Sequence, residues 1–177
     1  FNRYDGSVAF SDLIREAHQL GYTEPDPRDD LSGIDVARKL VILAREAGRD
    51  LSLADVAVEN LVPPSLLGAG REEFMSRLAE LDAPIAARHA SAHAKGCVLR
   101  YVAQLDKNGK ASVGLVELPR SHGFANLQLT DNVVQFSTKR YHSNPMVIQG
   151  PGAGPDVTAA GVFADLLRVA ASLGARV

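Results

Sequence analysis

Cys97-Val-Leu-Arg-Tyr-Val-Ala-Gln-Leu-Asp-Lys-Asn-Gly-Lys-Ala-Ser-Val-Gly-Leu-Val-Glu-Leu118 is the stretch that decides the fold. Cys97–Leu105 and Ala111–Leu118 have the composition of strands, and Asp106-Lys-Asn-Gly-Lys110 between them contains Asn-Gly, a strong hairpin signal. Downstream, Asn132–Thr138 and Met146–Gln149 read as two further strands, followed by a closing helix over Val157–Leu173. Upstream, Phe10, Leu13, Ile14, Ala17 and Leu20 recur at helical spacing, which predicts a helix over Ala9–Leu20 with Ser11 as N-cap and Gly21 as its stop. A second helix is expected over Ser32–Ala47, ended by Gly48. Its apolar side chains surround nearly the whole cylinder, so it is expected to be buried. Val56–Val62 reads as a strand, Pro63-Pro64 as a break, and Arg71–Leu81 and Pro84–His93 as helices. This order of elements predicts one α+β domain over residues 1–177, with helices packed on a mixed or antiparallel sheet rather than a doubly wound parallel one.

The chain has 177 residues, 46% hydrophobic and 23% charged, which is enough apolar material for a core. A net charge of −2 with scattered Lys and Arg gives no reason to expect nucleic acid or a membrane surface as partner. A lone cysteine, Cys97, excludes an internal disulfide and suits a reducing, cytoplasm-like compartment, for which a plastid would read the same; its apolar neighbours mark it as a core thiol. No stretch approaches the roughly 18 apolar residues of a membrane span, and no signal-peptide pattern opens the chain. Phe1-Asn-Arg-Tyr-Asp-Gly6 lacks an initiator Met and reads like the interior of a longer protein.

Asp35 and Lys39 lie four residues apart on an otherwise apolar helix, hence on one face. An exposed ion pair accounts for them, and Ser32 with Asp35 could form a variant capping box. The preceding loop, Tyr22-Thr-Glu-Pro-Asp-Pro-Arg-Asp-Asp30, is expected to be non-helical because of its prolines, and it gathers Glu24, Asp26, Asp29 and Asp30. Their mutual repulsion is costly unless a cation visits, and the ammonium group of a small zwitterion would serve. A lysine beside it could move the proton of an alcohol or aldehyde; for Asp26 and Arg28 surface solvation is the plainer account. Gln149-Gly-Pro-Gly-Ala-Gly154 lets the backbone approach a ligand before a helix N-terminus, but lacks the register of a dinucleotide-binding fingerprint. His89 and His93 have metal-pair spacing without the accompanying Glu, so a helix face explains them and no metal site is expected.

Gly21-Tyr-Thr-Glu-Pro-Asp-Pro-Arg-Asp-Asp-Leu-Ser-Gly-Ile-Asp-Val-Ala-Arg-Lys39 resembles the signature segment of homoserine dehydrogenases. Asn144-Pro-Met-Val-Ile-Gln-Gly-Pro-Gly-Ala-Gly-Pro-Asp-Val-Thr-Ala-Ala-Gly161 is similar to a C-terminal segment of the same family, and Asp131–Tyr141 also matches. The resemblance implies interconversion of L-homoserine and L-aspartate 4-semialdehyde with NAD or NADP. By motif it implies that Glu24 and Asp35 hold the substrate's ammonium group, that Asp30 supports the same pocket and that Lys39 handles the alcohol proton. Gly21 and Gly154 would touch the cofactor. The family's nucleotide-binding (Rossmann) domain is not in this sequence and is expected upstream of Phe1. The short ending after Arg168 resembles the bifunctional aspartokinase–homoserine dehydrogenases. With few helices to cover both faces of the sheet, a two-fold homodimer is expected. A non-catalytic dimerisation or regulatory module that keeps the pocket is the alternative.

Overall fold

A computed structural model describes residues 1–127, 131–152 and 154–175, and the chain divides into two compact units, Phe1–Asn126 and Leu127–Val177. In the first unit the helices are α1 (Phe10–Gln19), α2 (Pro27–Leu31), α3 (Ile34–Glu46), α4 (Arg71–Ser76) and α5 (Asp82–Ala94). The strands are β1 (Val56–Val58), β2 (Cys97–Leu105) and β3 (Ala111–Pro119), in the order β1-β3-β2. β3 runs antiparallel to β2, with Leu105 opposite Ala111 and Tyr101 opposite Leu115, and parallel to β1. The fold is α+β with a small mixed sheet. The hairpin forms where the sequence placed it. Asp106 organises its turn, accepting from Asn108 N and Lys110 N at 2.8 and 2.9 Å, and Gly109 takes the left-handed conformation.

Period-two alternation gives the sheet one covered face. Ala111, Val113 and Leu115 of β3 point into the core together with Leu99 of β2. Ala111 and Val113 meet Ala37, Leu40, Val41 and Ala44 of α3, whereas Leu99 and Leu115 meet α1, α5 and the buried Leu66, Phe74, Leu78 and Leu81. On the opposite face Arg100 is buried, donating to the carbonyls of Phe124 and Ala125 in a tight turn over Gly123–Asn126. Val102, Gln104, Ser112, Gly114 and Val116 on that face, with Ala57, line an open groove.

Several local expectations are corrected. α3 is buried on one side only: Ile42 is 61% exposed and Leu43 39%. An all-round apolar helix needs partners all round, and the sheet supplies one face. The N-cap of α1 is Ala9; Ser11 lies inside the helix, where its N–H and hydroxyl donate to Asp82 at 2.7 and 2.8 Å. Ser11 therefore fastens α1 to the start of α5. The expected Val56–Val62 strand ends at Val58, because Asn60 Oδ1 turns the chain by accepting from Val62 N at 2.8 Å. The Arg71–Leu81 helix breaks at Arg77, whose N–H is shared between the carbonyls of Glu73 and Phe74. The chain then tightens into a 3₁₀ turn over Leu78–Leu81, which brings both leucines into the core with Phe74.

The second unit pairs β4 (Asp131–Phe136) antiparallel to β5 (Met146–Pro151), followed by α6 (Pro155–Ser172). The expected extension of β4 to Thr138 stops short, since Thr138 and Tyr141 bond each other across a turn. α6 has no buried residue. Among the described residues no helix is long and apolar enough to cross a membrane.

Candidate functional site

The site is built from the end of α1 to the middle of α3. Gly21 takes a left-handed φ of +72° and closes α1, while Tyr22 N donates back to Ala17 O at 2.9 Å. A Cβ on Gly21 would meet no atom of this chain within 4 Å, so glycine answers the backbone conformation there. His18 Nδ1 then lies 3.0 Å from Thr23 Oγ1, which donates to Glu24 O at 2.9 Å. Asp30 Oδ2 accepts from Glu24 N at 2.9 Å. The loop that bears Glu24 is thereby held at both ends by side chains.

The prolines do not forbid helix as expected. Pro27 occupies the first position of α2, where the missing N–H has no intrahelical partner to lose. Asp26 caps that helix through Arg28 N at 3.0 Å, and its carboxylate also pairs with the Arg28 guanidinium at 2.5 Å. Arg28 further donates to Ala69 O and lies over the Phe74 ring, so Asp26 and Arg28 form a buried-edge lock rather than a solvated pair. The carboxylate cluster is relieved from within. The Arg28 side chain beside Asp26 holds that carboxyl below its usual range. Asp30 shifts the other way: desolvation raises it, the Glu24 N–H opposes, and the Glu24 and Asp29 charges raise it further.

α3 begins at Gly33, its buried N-cap, with φ +73°. Ser32 does not build a capping box with Asp35; its hydroxyl donates to Asp29 O at 2.8 Å and accepts from Ile34 N at 3.3 Å. That leaves Asp35 free to pair with Lys39 at 2.7 Å, both about 60% exposed. Glu24 and Asp30 are thus joined by one hydrogen bond, and Asp35 and Lys39 by one ion pair on the solvent side of α3. Gly154 stands in the second unit as the residue before α6, with φ +122°, and its carbonyl accepts from Thr158 N and Oγ1. A Cβ on Gly154 also would meet nothing within 4 Å. Each glycine, within its own unit, answers a positive φ and has no neighbouring atom where a Cβ would stand. His89 and His93 stack loosely at 6.0 Å with Tyr4 at the edge of His89, and among the described residues no cluster of three or more His, Cys, Asp or Glu could hold a metal ion.

One cluster next to the start of α3 left no sequence signal. Tyr101, Glu59 and Arg88 come together beneath Gly33 from β2, the end of β1 and α5. In sequence they read as an ordinary strand aromatic and two surface charges.

Comparison with known proteins gives the arrangement a family. The sequence model of the homoserine dehydrogenase family matches residues 1–167. A bifunctional aspartokinase/homoserine dehydrogenase of Zea mays chloroplasts is 51% identical over 99% of this chain, which covers 19% of that protein. The homoserine dehydrogenase of Emericella nidulans is 48% identical over 92% of this chain and 46% of its own length. A Candida auris protein of unknown function has a crystal structure that superposes with a TM-score of 0.85 at 46% identity, over 96% of this chain and 48% of that one. The chain thus spans less than half the length of each of these relatives. With the family match running across the loop that bears Glu24, the Asp35–Lys39 helix and the Gly154 turn alike, the chain belongs to the homoserine dehydrogenase family.

Proposed function

We propose that this chain is the substrate-binding, proton-transferring and dimerising part of an NAD- or NADP-dependent homoserine dehydrogenase. In this reading it serves the interconversion of L-homoserine and L-aspartate 4-semialdehyde in threonine and methionine biosynthesis. The observation that carries the reading is the Asp35–Lys39 pair at 2.7 Å, exposed on the helix that follows the pinned Glu24 loop. A zwitterion's ammonium group would take Asp35 from Lys39, adding Glu24 as a second carboxylate. Lys39 is then released, gives up its own proton to solvent, and as the free amine accepts the alcohol's proton while the carbonyl forms and the hydride leaves. Asp30 acts through the loop, holding Glu24 by its N–H. Gly21 and Gly154 would line the nicotinamide cofactor, which accepts or supplies the hydride when bound; the remaining contacts belong to a nucleotide-binding domain outside this sequence.

The test is steady-state kinetics on the complete enzyme. Lys39→Ala lowers kcat by about 10²–10⁴-fold and changes KM less, because a general base acts in the transition state. Asp35→Ala and Glu24→Ala raise KM for homoserine more than they lower kcat. A Lys39→Ala enzyme with near-normal kcat would move the proton transfer to a residue outside this chain. Full retention of activity by all three variants would favour a module that keeps the pocket without using it.

The dimer rests on the uncovered sheet face, where Val102 and Val116 stand half-exposed around an open groove. A second copy would cover it by two-fold symmetry. Sedimentation equilibrium checks this, and a clean monomer at micromolar concentration would overturn it.

A further inference from the structure

Beneath the start of α3 lies a contact that the proposed chemistry does not use. Tyr101, in β2, packs against both hydrophobic cores of the first unit. Its hydroxyl donates to Glu59 O at 2.6 Å. Burial, and then the Glu59 charge, push the phenol up to about 12, so it stays a neutral donor throughout the range in which such an enzyme works. Gly33 lies directly over this hydroxyl. A Cβ on Gly33 would sit 1.9 Å from Tyr101 Oη, 2.9 Å from Cζ and 3.1 Å from Val58 Cγ1. The first residue of the α3 turn is therefore a glycine for two reasons, its positive φ and the oxygen pressed against its Cα.

The hydroxyl is itself held in place. Glu59 N donates to Val113 O at 2.8 Å, and the Glu59 carboxylate accepts from Leu115 N at 2.9 Å and pairs with Arg88. Arg88 closes the ring by donating to Leu115 O at 2.7 Å. Every partner on this side belongs to the sheet or to α5. On the other side Leu61 N donates to Leu31 O at 3.0 Å, tying the α2–α3 junction to the same run of chain. Asp35 follows Gly33 by two residues, so a shift of Gly33 against the phenol moves Asp35 with it.

We infer that Tyr101 is a positioning residue for the substrate site: its hydroxyl, fixed by Glu59, sets the seat of the first turn of α3 and thereby where Asp35 meets the substrate's ammonium group. The inference rests on the ammonium role proposed for Asp35. Tyr101→Phe tests it in the complete enzyme, since the ring and its packing are kept and only the hydroxyl is lost. With homoserine, kcat/KM falls by about three- to thirtyfold, mainly through KM, the scale expected for a lost hydrogen bond that misplaces a binding group. The same variant is then assayed with 4-hydroxybutanoate, which keeps the reacting alcohol and lacks the amino group. Without an ammonium to place, Tyr101→Phe changes kcat/KM by less than about twofold. Equal losses with both substrates would overturn the inference, because a general structural role penalises them alike. No loss with homoserine would overturn it as well. If wild-type enzyme failed to prefer homoserine over 4-hydroxybutanoate, the ammonium reading would fall first, and the role of Tyr101 with it.

Discussion

Phe1–Asn126 and Leu127–Val177 are rich in the same apolar side chains and dispose of them in opposite ways. The first unit buries Leu66, Phe74 and Leu78 completely and builds two clusters on one sheet face. In the second, α6 leaves Val162, Phe163, Leu166 and Val169 each more than half exposed, at 57–69%, and Met146, Val147 and Ile148 of β5 are open as well. Apolar content was therefore a sound guide to where helices and strands form and a poor guide to which are covered. Burial depends on partners, and the sheet of the first unit has helices to offer on only one face. The same logic holds within α3, where one side packs on β3 and the other carries Asp35, Lys39 and Ile42 into solvent. The substrate role proposed for α3 would use that split, with a packed side to hold position and an open side to meet the ligand.

The sharpest way to break this contrast is to truncate a large side chain in each unit. Phe74→Ala removes a fully buried ring and is expected to destabilise the chain by about 3–5 kcal/mol, through lost transfer energy and the cavity left behind. Phe163→Ala removes a ring that is 59% exposed and is expected to cost within about 0.5 kcal/mol. Urea unfolding followed by circular dichroism compares the two. A large loss for Phe163→Ala would show that α6 is covered in solution, by a second copy or otherwise, and the contrast would dissolve.

The sequence made some of this legible. The β2–β3 hairpin was readable because Asn-Gly, the alternation of Ala111, Val113 and Leu115, and the two strand lengths all agree. The pairing of Asp35 with Lys39 on α3 was readable too, because i,i+4 spacing fixes which residues share a face whatever packs behind them. What could not be read was long-range. Ser11 looks like an N-cap until Asp82, 71 residues away, claims both its N–H and its hydroxyl. Pro27 looks like a helix breaker until Asp26 supplies the cap that makes it a first residue. Gly33 carries no local sign that Tyr101 lies under it. For Ser11 and Gly33 the deciding partner lies outside any local window, whereas Pro27 is decided by its neighbour Asp26, a cap present in the sequence beside a proline that reads equally as a breaker.

The finest test concerns charge, which the first unit organises in the Asp26–Asp30 loop and the second carries in the exposed Asp165–Arg168 pair. Asp26 and Asp30 sit in one loop with shifts of opposite sign, so their linkage to stability must be worked out separately. Asp26, lowered by Arg28, stabilises the fold above the ordinary carboxylate range, and that contribution is lost as pH falls through its depressed value. Asp30, raised chiefly by desolvation, favours the fold when protonated, and that contribution is lost as pH rises through its elevated value. Asp30→Asn keeps an oxygen for Glu24 N and removes the charge, so it is expected to stabilise the chain slightly at neutral pH, with the gain fading as pH falls through the elevated Asp30 value and gone by about pH 4. Asp26→Asn is expected to destabilise at neutral pH, and its deficit closes only in stronger acid. Asp165→Asn in α6 breaks an exposed pair with Arg168 at 3.1 Å and is expected to leave the curve unmoved. Thermal unfolding of the three variants from pH 3 to pH 8, roughly the window in which carboxylates titrate, reads all three slopes at once. If the Asp30→Asn and Asp26→Asn difference curves ran in the same direction, the loop would not divide its charges between a desolvated and a paired carboxylate.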